Sequence, residues 1–538
     1  MQQLIFGLFG GTALLLLGIQ MLGDGLEKAA GDAMKTILNK LTSSIWRGVG
    51  LGAFVTSIIQ SSSATTVMVV GFVNAGMMTL TQALSIIYGA NIGTTVTSHL
   101  LRLKIADYAL PIIGIGVIMQ MLSKNERRKN IGISILGFGL LFLGLDTLSS
   151  GSGYLSDNPG IKEAIQYYAS NPFIAVLIGL ILTGLIQSST ASTGLVVALA
   201  EVGLLSFPMA AGITLGNNIG TCVTAILAST GTSRAAKRAA WGHILFNVGG
   251  VVLFLPFFYP LIELISASST DIKGQIANLH TIFNISTTLV FIPITAQFAK
   301  LLMRLVPDTE EEEAVGARHL DKLLLEMPDA AIGATYLELS RANLIAIDMY
   351  QSAYQATGHS DKELLQKISS SEDLINELQR EVTRYMIEIS KRSLSEAQAA
   401  VIPDLLHTIG DIERVGDHAF AMVEHVEKKI NQGIEFSEPA TLALTDVVEQ
   451  LNKLSALAET SLEQRGGDFT RESKALTSSI AIIAETARDG HISRLERGEC
   501  TVEAGVYYLD ILSHFERIAE HFHNIVLSCA HRRSELLS

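Results

Sequence analysis

Two long apolar stretches of this chain, 48–78 and 172–203, are each broken in the middle by a polar run, Gln60-Ser61-Ser62-Ser63 and Gln187-Ser188-Ser189-Thr190. A membrane crossing needs about 20 apolar residues. Polar backbone at that depth survives only where protein buries it or where it lines a wet cavity. Each stretch therefore reads as a helical hairpin that enters and leaves on one side, with its polar run inside. The two stretches are also copies. With Gln60 set on Gln187, QSSSATTVMVV (60–70) lies on QSSTASTGLVV (187–197), and GANIGTTVT (89–97) lies on GNNIGTCVT (216–224) without a gap. Over 58–98 against 185–225, 18 of 41 positions are identical. Upstream, LLLLGIQML (14–22) resembles LLFLGLDTL (140–148). A unit of spanning helix, broken hairpin and second polar motif is thus present twice.

Further apolar stretches at 4–22, 82–100, 109–122, 131–148, 207–228, 240–260 and 278–303 complete a polytopic membrane half. The stretch Leu4–Leu22 lacks the basic start and cleavage site of a secretion signal, and it has the internal copy, so it is expected to be retained. Up to Leu305 the chain holds 17 Lys/Arg against 11 Asp/Glu, a net of +6; from Val306 on it holds 22 against 41, a net of −19. This break places a domain boundary at Leu305–Gly316, near Pro307 and the acidic run Asp308–Glu313. The expected domains are 1–305 in the membrane (repeats about 1–125 and 130–305), a linker at 306–330, and a soluble domain at 331–538. Basic clusters at Lys35–Arg47, 124–129, 234–238 and Lys300–Arg304 are expected on the cytoplasmic side, and the Gly/Ser-rich 146–171 outside. On that path one hairpin opens inward and the other outward, which makes the repeats inverted. The three cysteines form no framework, and they suit a reducing compartment for the soluble part.

An anion in a membrane needs hydrogen-bond donors and positive potential, and helix N-termini supply both. A small cation needs oxygen ligands. Gln60, Ser61, Ser62, Ser63, Gln187, Ser188, Ser189 and Thr190 fit both tasks, with Thr65, Thr66, Ser192 and Thr193 close behind them. Asn91, Thr94, Thr95, Asn218 and Thr221 offer more oxygens from a second break in each copy. Small polar residues also serve close helix packing, but two patches repeated with a second motif at fixed spacing favour a site. Glu201, Asp146 and Glu263 fall near predicted span ends, and this scarcity of acids argues for a metal cation over a proton as the driving ion. His243, Asn247, His280 and Asn284 form (i, i+4) pairs that read as packing residues.

The doubled QSS element, the paired NIGT (91–94 and 218–221), GHILFN (242–247) and LHTIFN (279–284) resemble the type II sodium–phosphate cotransporter family over about residues 1–305. The resemblance implies that the QSS hairpins and nearby hydroxyls bind phosphate and sodium. Thr190, where the first copy has Ser63, keeps a hydroxyl.

Beyond Glu326, apolar residues recur at three- and four-residue steps, which predicts helices at about 330–357, 361–391, 395–432, 438–465, 469–498 and 501–535. They form two three-helix units in an all-α fold. IERVGDH (412–418) in the third helix is matched by FERIAEH (515–521) in the sixth, so Glu413 and Asp417 meet Glu516 and Glu520. Carboxylates four apart share a helix face, and two such faces could hold an Fe/Mn/Zn-type metal or be ordinary solvated faces with Glu–Arg pairs. These motifs resemble the PhoU family of phosphate-response regulators, which implies metal binding and association with phosphate transporters.

The expectation is a multi-pass protein of a bacterial-type plasma membrane, its C-terminal domain cytoplasmic, carrying phosphate with co-transported sodium. Membrane lipid, a second copy of the chain and a phosphate-signalling protein are the expected partners. The rivals are an exporter, a carrier of another oxyanion, and a membrane-anchored phosphate sensor. No nucleophile–base set, P-loop or nucleotide motif is present, so no enzyme is expected. The acidity of the soluble part argues against nucleic acid.

Overall fold

The computed structural model describes residues 2–30, 44–103, 105–156, 159–307, 316–358, 362–464 and 468–536. Lys35 and Lys40, Asp157, and the whole run Asp308–Glu313 lie outside the described residues. The chain divides into two compact units, Met1–Thr309 and Glu310–Ser538. Among the described residues both are built of helices without strands.

In the first unit the longer helices are α1 (Gln2–Ala30), α2 (Ile45–Ile59), α3 (Ser62–Asn74), α4 (Leu80–Leu101), α5 (Ala109–Leu122), α6 (Glu126–Ser156), α7 (Pro159–Ala169), α8 (Pro172–Ile186), α9 (Ser189–Glu201), α10 (Phe207–Gly220), α11 (Cys222–Ala228), α12 (Arg234–Phe254), α13 (Phe258–Ser266), α14 (Ile272–Phe291) and α15 (Thr295–Leu305). Four stretches are long and apolar enough to cross a membrane: Phe6–Ala29, Glu126–Gly153, Phe207–Ala228 and Arg234–Ser266. Three bent pairs raise the number to seven if each is one span. The expected spans 82–100 and 109–122 are arms of one such pair, bent by 83°. The expected span 278–303 also bends by 83°, at Pro293, which has no N–H to continue the ladder.

Missing side chains set the packing. Gly7 meets Gly151, Gly11 meets Leu148, Gly18 meets Leu141 and Gly25 meets Ser134, so α1 and α6 run antiparallel at close approach. These two helices are the repeat equivalents of each other. Gly18 against Leu141 is answered by Gly144 against Leu15, the same pair with its members exchanged.

Within each copy the order differs. Gly48 faces Ser85, Gly52 faces Ile86 and Ala90, and Gly93 faces Ala53, so α2 and α4 run parallel. Gly179 against Ile213 and Gly220 against Thr183 make α8 and α10 parallel in the same way. For α4 to start beside the start of α2, the chain of α3 must return, and each broken stretch is a hairpin. A Cβ at Gly89 would collide with the Val49 carbonyl, and one at the equivalent Gly216 with the Val176 carbonyl.

The second unit holds α16 (Pro328–Ala356), α17 (Lys362–Ser390), α18 (Glu396–Asn431), α19 (Glu438–Gln464), α20 (Thr470–Glu496) and α21 (Val502–Leu536). The third and sixth of these, α18 and α21, pack on each other, and α16 packs on α18. Their core is apolar, with Ile409, Ile412 and Val415 of α18 and Ile511, Phe515 and Ile518 of α21 all buried.

Candidate binding site

Each hairpin turns at its glutamine. Gln60 has φ 59° and ψ 20°, and Gln187 has φ 58° and ψ 21°. They are the only non-glycine residues at positive φ among the described residues. A left-handed conformation costs a residue with a Cβ about 1 kcal/mol or more, so the turn is held by its surroundings. The next residue is extended in both copies, Ser61 at φ −142° and Ser188 at φ −141°. Each then caps the following helix. Ser61 Oγ accepts from Ala64 N at 3.1 Å and Ser188 Oγ from Ala191 N at 3.2 Å. Such caps contribute about 1 kcal/mol each. They leave the first N–H groups of α3 and α9 pointing outward, at the positive end of each helix dipole.

Both turns open on one cavity of about 470 Å³. Gln60–Ala64 and Gln187–Thr190 line it together with α1 residues. Ser62, Ser189 and Thr190 are buried there, and their hydroxyls have no hydrogen-bond partner among the described residues. The eight tip residues of the sequence reading are thus brought to one place.

The other expected residues stand elsewhere. Thr65, Thr66, Ser192 and Thr193 are buried behind the tips. Thr56 Oγ1 donates to Thr65 Oγ1 at 2.9 Å, and Thr65 Oγ1 donates to Ser61 O at 3.1 Å, which braces the first turn. Asn91, Thr94 and Thr95 spend their donors on the carbonyls of Ile87, Ala90 and Ile92. The expected break at Asn91–Thr95 does not occur, because α4 runs unbroken from Leu80 to Leu101. Only the second copy breaks, at Thr221 between α10 and α11.

Asn218 makes the second polar centre. Its Oδ1 lies 3.2 Å from His280 Nε2 and 3.5 Å from Asn284 Nδ2, and His280 Nδ1 lies 2.8 Å from Ser98 Oγ. Asn247 Nδ2 reaches Cys222 Sγ at 3.4 Å. His280, Asn284 and Asn247 thus join hydrogen bonds between helices, whereas both ring nitrogens of His243 are buried without a partner among the described residues. Asn247 Oδ1, Asn284 Oδ1 and Thr66 Oγ1 are buried and have no hydrogen-bond partner among the described residues. An acceptor left so costs about 1–3 kcal/mol, which a cation or water would relieve.

Two groups escaped the sequence reading. Asn217, opposite Ala90 in the first copy, hydrogen-bonds Thr183 and Ser192 at 3.0 and 2.9 Å. Gln20, Asp24 and Glu27 of α1 line the cavity. The acids considered from sequence stand elsewhere: Asp146 and Glu263 do not line the cavity, and Glu201 pairs with Lys273 at 2.8 Å. The signal was available, since positions 20, 24 and 27 repeat on one helix face, and α1 runs to Ala30, past the expected end at Leu22.

In the second unit the four motif carboxylates do not converge. Asp417 pairs with Arg414 at 3.3 Å, Glu520 with Arg517 at 2.7 Å, and Glu516 with Arg488. Burial raises the Glu413 carboxyl, with Asp417 adding to it. Among the described residues no group of three or more His, Cys, Asp or Glu side chains is placed to hold a metal ion. What meets between α18 and α21 is a ladder of imidazoles. His521 Nδ1 lies 2.8 Å from Asp411, His418 Nδ1 lies 3.1 Å from His514 Nδ1, and His425 Nδ1 lies 3.5 Å from Asp510. Burial, then His514 and His521, pushes His418 down to about 4. Burial also lowers His514.

Comparison with known proteins places these features. The sequence profile of the Na+/Pi-cotransporter family matches residues 14–150 and 156–269, and that of the PhoU domain matches 339–426. The chain is 33% identical over 299 residues to the uncharacterized protein YqeW of Bacillus subtilis, covering 55% of this chain and 97% of that one. It is 25% identical over 535 residues to YjbB of Escherichia coli, named "Putative inorganic phosphate export protein", with 98% of each chain covered. It is 32% identical over 141 residues to the sodium-dependent phosphate transport protein 2B of Bos taurus, 24% of this chain and 20% of that one. No solved structure matches. The relatives with a stated activity are transporters, not enzymes.

Proposed function

The chain belongs to the Na+/Pi-cotransporter family, and from that premise we propose that it carries inorganic phosphate across the membrane together with sodium, through the cavity between the two Gln-Ser-Ser tips. The observation that carries this reading is the meeting of two serine-capped helix N-termini, at equivalent positions of the two copies, on one cavity. Outward N–H groups and the unpartnered hydroxyls of Ser62, Ser189 and Thr190 are what a tetrahedral oxyanion requires. The donor-less oxygens of Thr66, Asn247 and Asn284 suit a hard cation. The other tip residues and Thr65, Ser192, Thr193, Asn91, Thr94, Thr95, Asn218 and Thr221 support these positions.

Alternating access follows if the repeats are inverted. The antiparallel, exchange-symmetric contact of α1 with α6 supports that reading. We assign 1–305 to transport and 306–330 to a connector. The PhoU-like remainder, on the cytoplasmic side of a bacterial plasma membrane, would set the carrier's activity by phosphate status, alone, as a dimer or with a signalling protein.

The test is flux of labelled phosphate into vesicles holding the purified chain. An inward sodium gradient should drive uptake. Gln60→Ala and Gln187→Ala should each abolish it in protein that still reaches the membrane, and retained flux in both would refute the site. A chain ending at Val306 should keep sodium-driven flux, whereas a pure sensor shows none with or without the tail. A second reading, export, is favoured by the name of the Escherichia coli relative, which covers both regions. Cells that overproduce an exporter lose phosphate to the medium, and those that overproduce an importer gain it.

A further inference from the structure

The cavity carries an acidic wall that neither the repeat nor the anion reading accounts for. Gln20, Asp24 and Glu27 come from one face of α1 and line the same space as both tips. Helix α1 is seated there by absent side chains. A Cβ at Gly23 would stand 2.6 Å from the Ile59 carbonyl, so α1 rests against the end of α2 at the first tip. On the other side, a Cβ at Gly194 of α9 would stand 2.6 Å from Leu15 Cδ2 of α1. Asp24 is exposed, lines the cavity and has no hydrogen-bond or ion-pair partner among the described residues.

Carboxylates beside an oxyanion site repel the ion that the site is built to hold, unless a cation stands between them. The tip supplies both signs. At one chain break α2 ends, with the negative pole of its dipole and the Ile59 carbonyl next to Gly23, and α3 begins, with its positive pole. A cation is favoured on the α1 side of the break and an anion on the α3 side. The buried hydroxyls of Ser62 and Ser189, without partners in the same cavity, mark the ground between them.

We propose that Asp24, supported by Glu27 and Gln20, binds a sodium ion inside this cavity, and that this ion is the condition for the oxyanion to enter. The proposal rests on the oxyanion reading of the cavity and adds the residue through which sodium is tied to the anion. Empty, the acidic wall excludes phosphate; loaded, it attracts it. Linkage makes the effect reciprocal, so phosphate must tighten sodium by the same factor that sodium tightens phosphate.

The experiment uses the purified full-length chain in detergent, with binding of 22Na+ and of 32P-labelled inorganic phosphate read separately, choline replacing sodium at constant ionic strength. In the unaltered chain, phosphate should tighten 22Na+ binding at least tenfold. Asp24→Asn keeps the shape and removes the charge. It should weaken 22Na+ at least tenfold and make the remaining phosphate binding independent of sodium, an outcome that a merely structural loss cannot produce. Glu27→Gln should do less. Asp24→Ser serves if the asparagine variant fails to fold, and Asp24→Glu should restore sodium dependence. Unchanged 22Na+ binding in Asp24→Asn overturns the proposal, as does phosphate binding that follows pH but not sodium in the unaltered chain. If the unaltered chain binds 22Na+ through Asp24 but no phosphate under any condition, the cation site stands and the phosphate reading falls.

Discussion

The two Gln-Ser-Ser tips share a backbone and differ in what surrounds it. Their dihedral angles agree within a few degrees, and each serine caps its helix in the same way. Yet Gln60 is buried, its Nε2 donating to Ser57 O and its Oε1 accepting from Thr97 Oγ1. Gln187 is exposed to the cavity, and its side chain has no hydrogen-bond partner among the described residues. Behind the first turn Thr56 touches Thr65 directly, whereas behind the second the Asn217 amide stands between Thr183 and Ser192. The contrast teaches that duplication preserves the strained turn and its serine cap and lets the side chains around them differ. The first tip is braced by its glutamine, and the second leaves its amide exposed in the cavity, as the proposed ligand role requires.

The symmetric part of this comparison breaks most severely at the glycines. Gly89→Ala and Gly216→Ala should each cost about 3 kcal/mol or more, since the Cβ meets a helix carbonyl that cannot move aside. Both variants should be lost in size-exclusion profiles of extracted protein, and tolerance of one alone would show that the copies are not packed alike. The asymmetric part is sharpened by the glutamines. Gln60→Ala should lower thermal stability by the equivalent of about 1–3 kcal/mol, because it strands the buried Thr97 hydroxyl. Gln187→Ala should stay within about 0.5 kcal/mol of the parent, although both variants should lose flux. Equal melting temperatures would contradict the division into brace and ligand.

The smallest effect lies in the second unit, where His418 and His521 are repeat equivalents placed differently. His521 faces Asp411, while His418 faces His514 and His521 with Arg414 and Arg517 nearby. An unfolded imidazole protonates near 6.5, and folded His418 only near 4. The unfolded chain thus binds the extra proton first, and stability falls as pH drops from 6.5 toward 4 and is unaffected above 6.5. After allowance for partial solvent access the loss is on the order of 1 kcal/mol. His418→Asn should flatten that stretch of the acid-denaturation curve, read by circular dichroism, and an unchanged curve would remove His418 from the ladder's balance.

Period and punctuation made the helices legible. In the second unit α16, α18, α19 and α20 end within two residues of the glycine-bearing breaks in the sequence, Thr357-Gly358, Gln432-Gly433, Arg465–Gly467 and Gly498. The tips were legible because a polar run inside a membrane stretch admits few explanations. Bends were not, since Pro293 says that a helix stops and leaves open where the chain goes next. Asp24 and Glu27 were missed because a carboxylate past the expected end of a span reads as a loop residue, and only the length of α1 carries it into the cavity. The second break at Asn91 failed for a related reason: the shared NIGT does not decide continuity, and α4 continues where α10 stops.

Where the two units join, the chain is pinned at both margins. Buried Arg238 of α12 donates from Nε to the Val306 carbonyl at 2.9 Å, and Arg341 of α16 donates from Nη2 to the Gly316 carbonyl at 2.6 Å. The fully buried Glu338 accepts from the backbone N–H of Arg318 and His319 at 2.8 and 2.7 Å, and also from Arg341 Nε at 2.7 Å. Each unit therefore fastens its own described margin with an arginine. Loss of either arginine side chain would release one margin and leave the other still held.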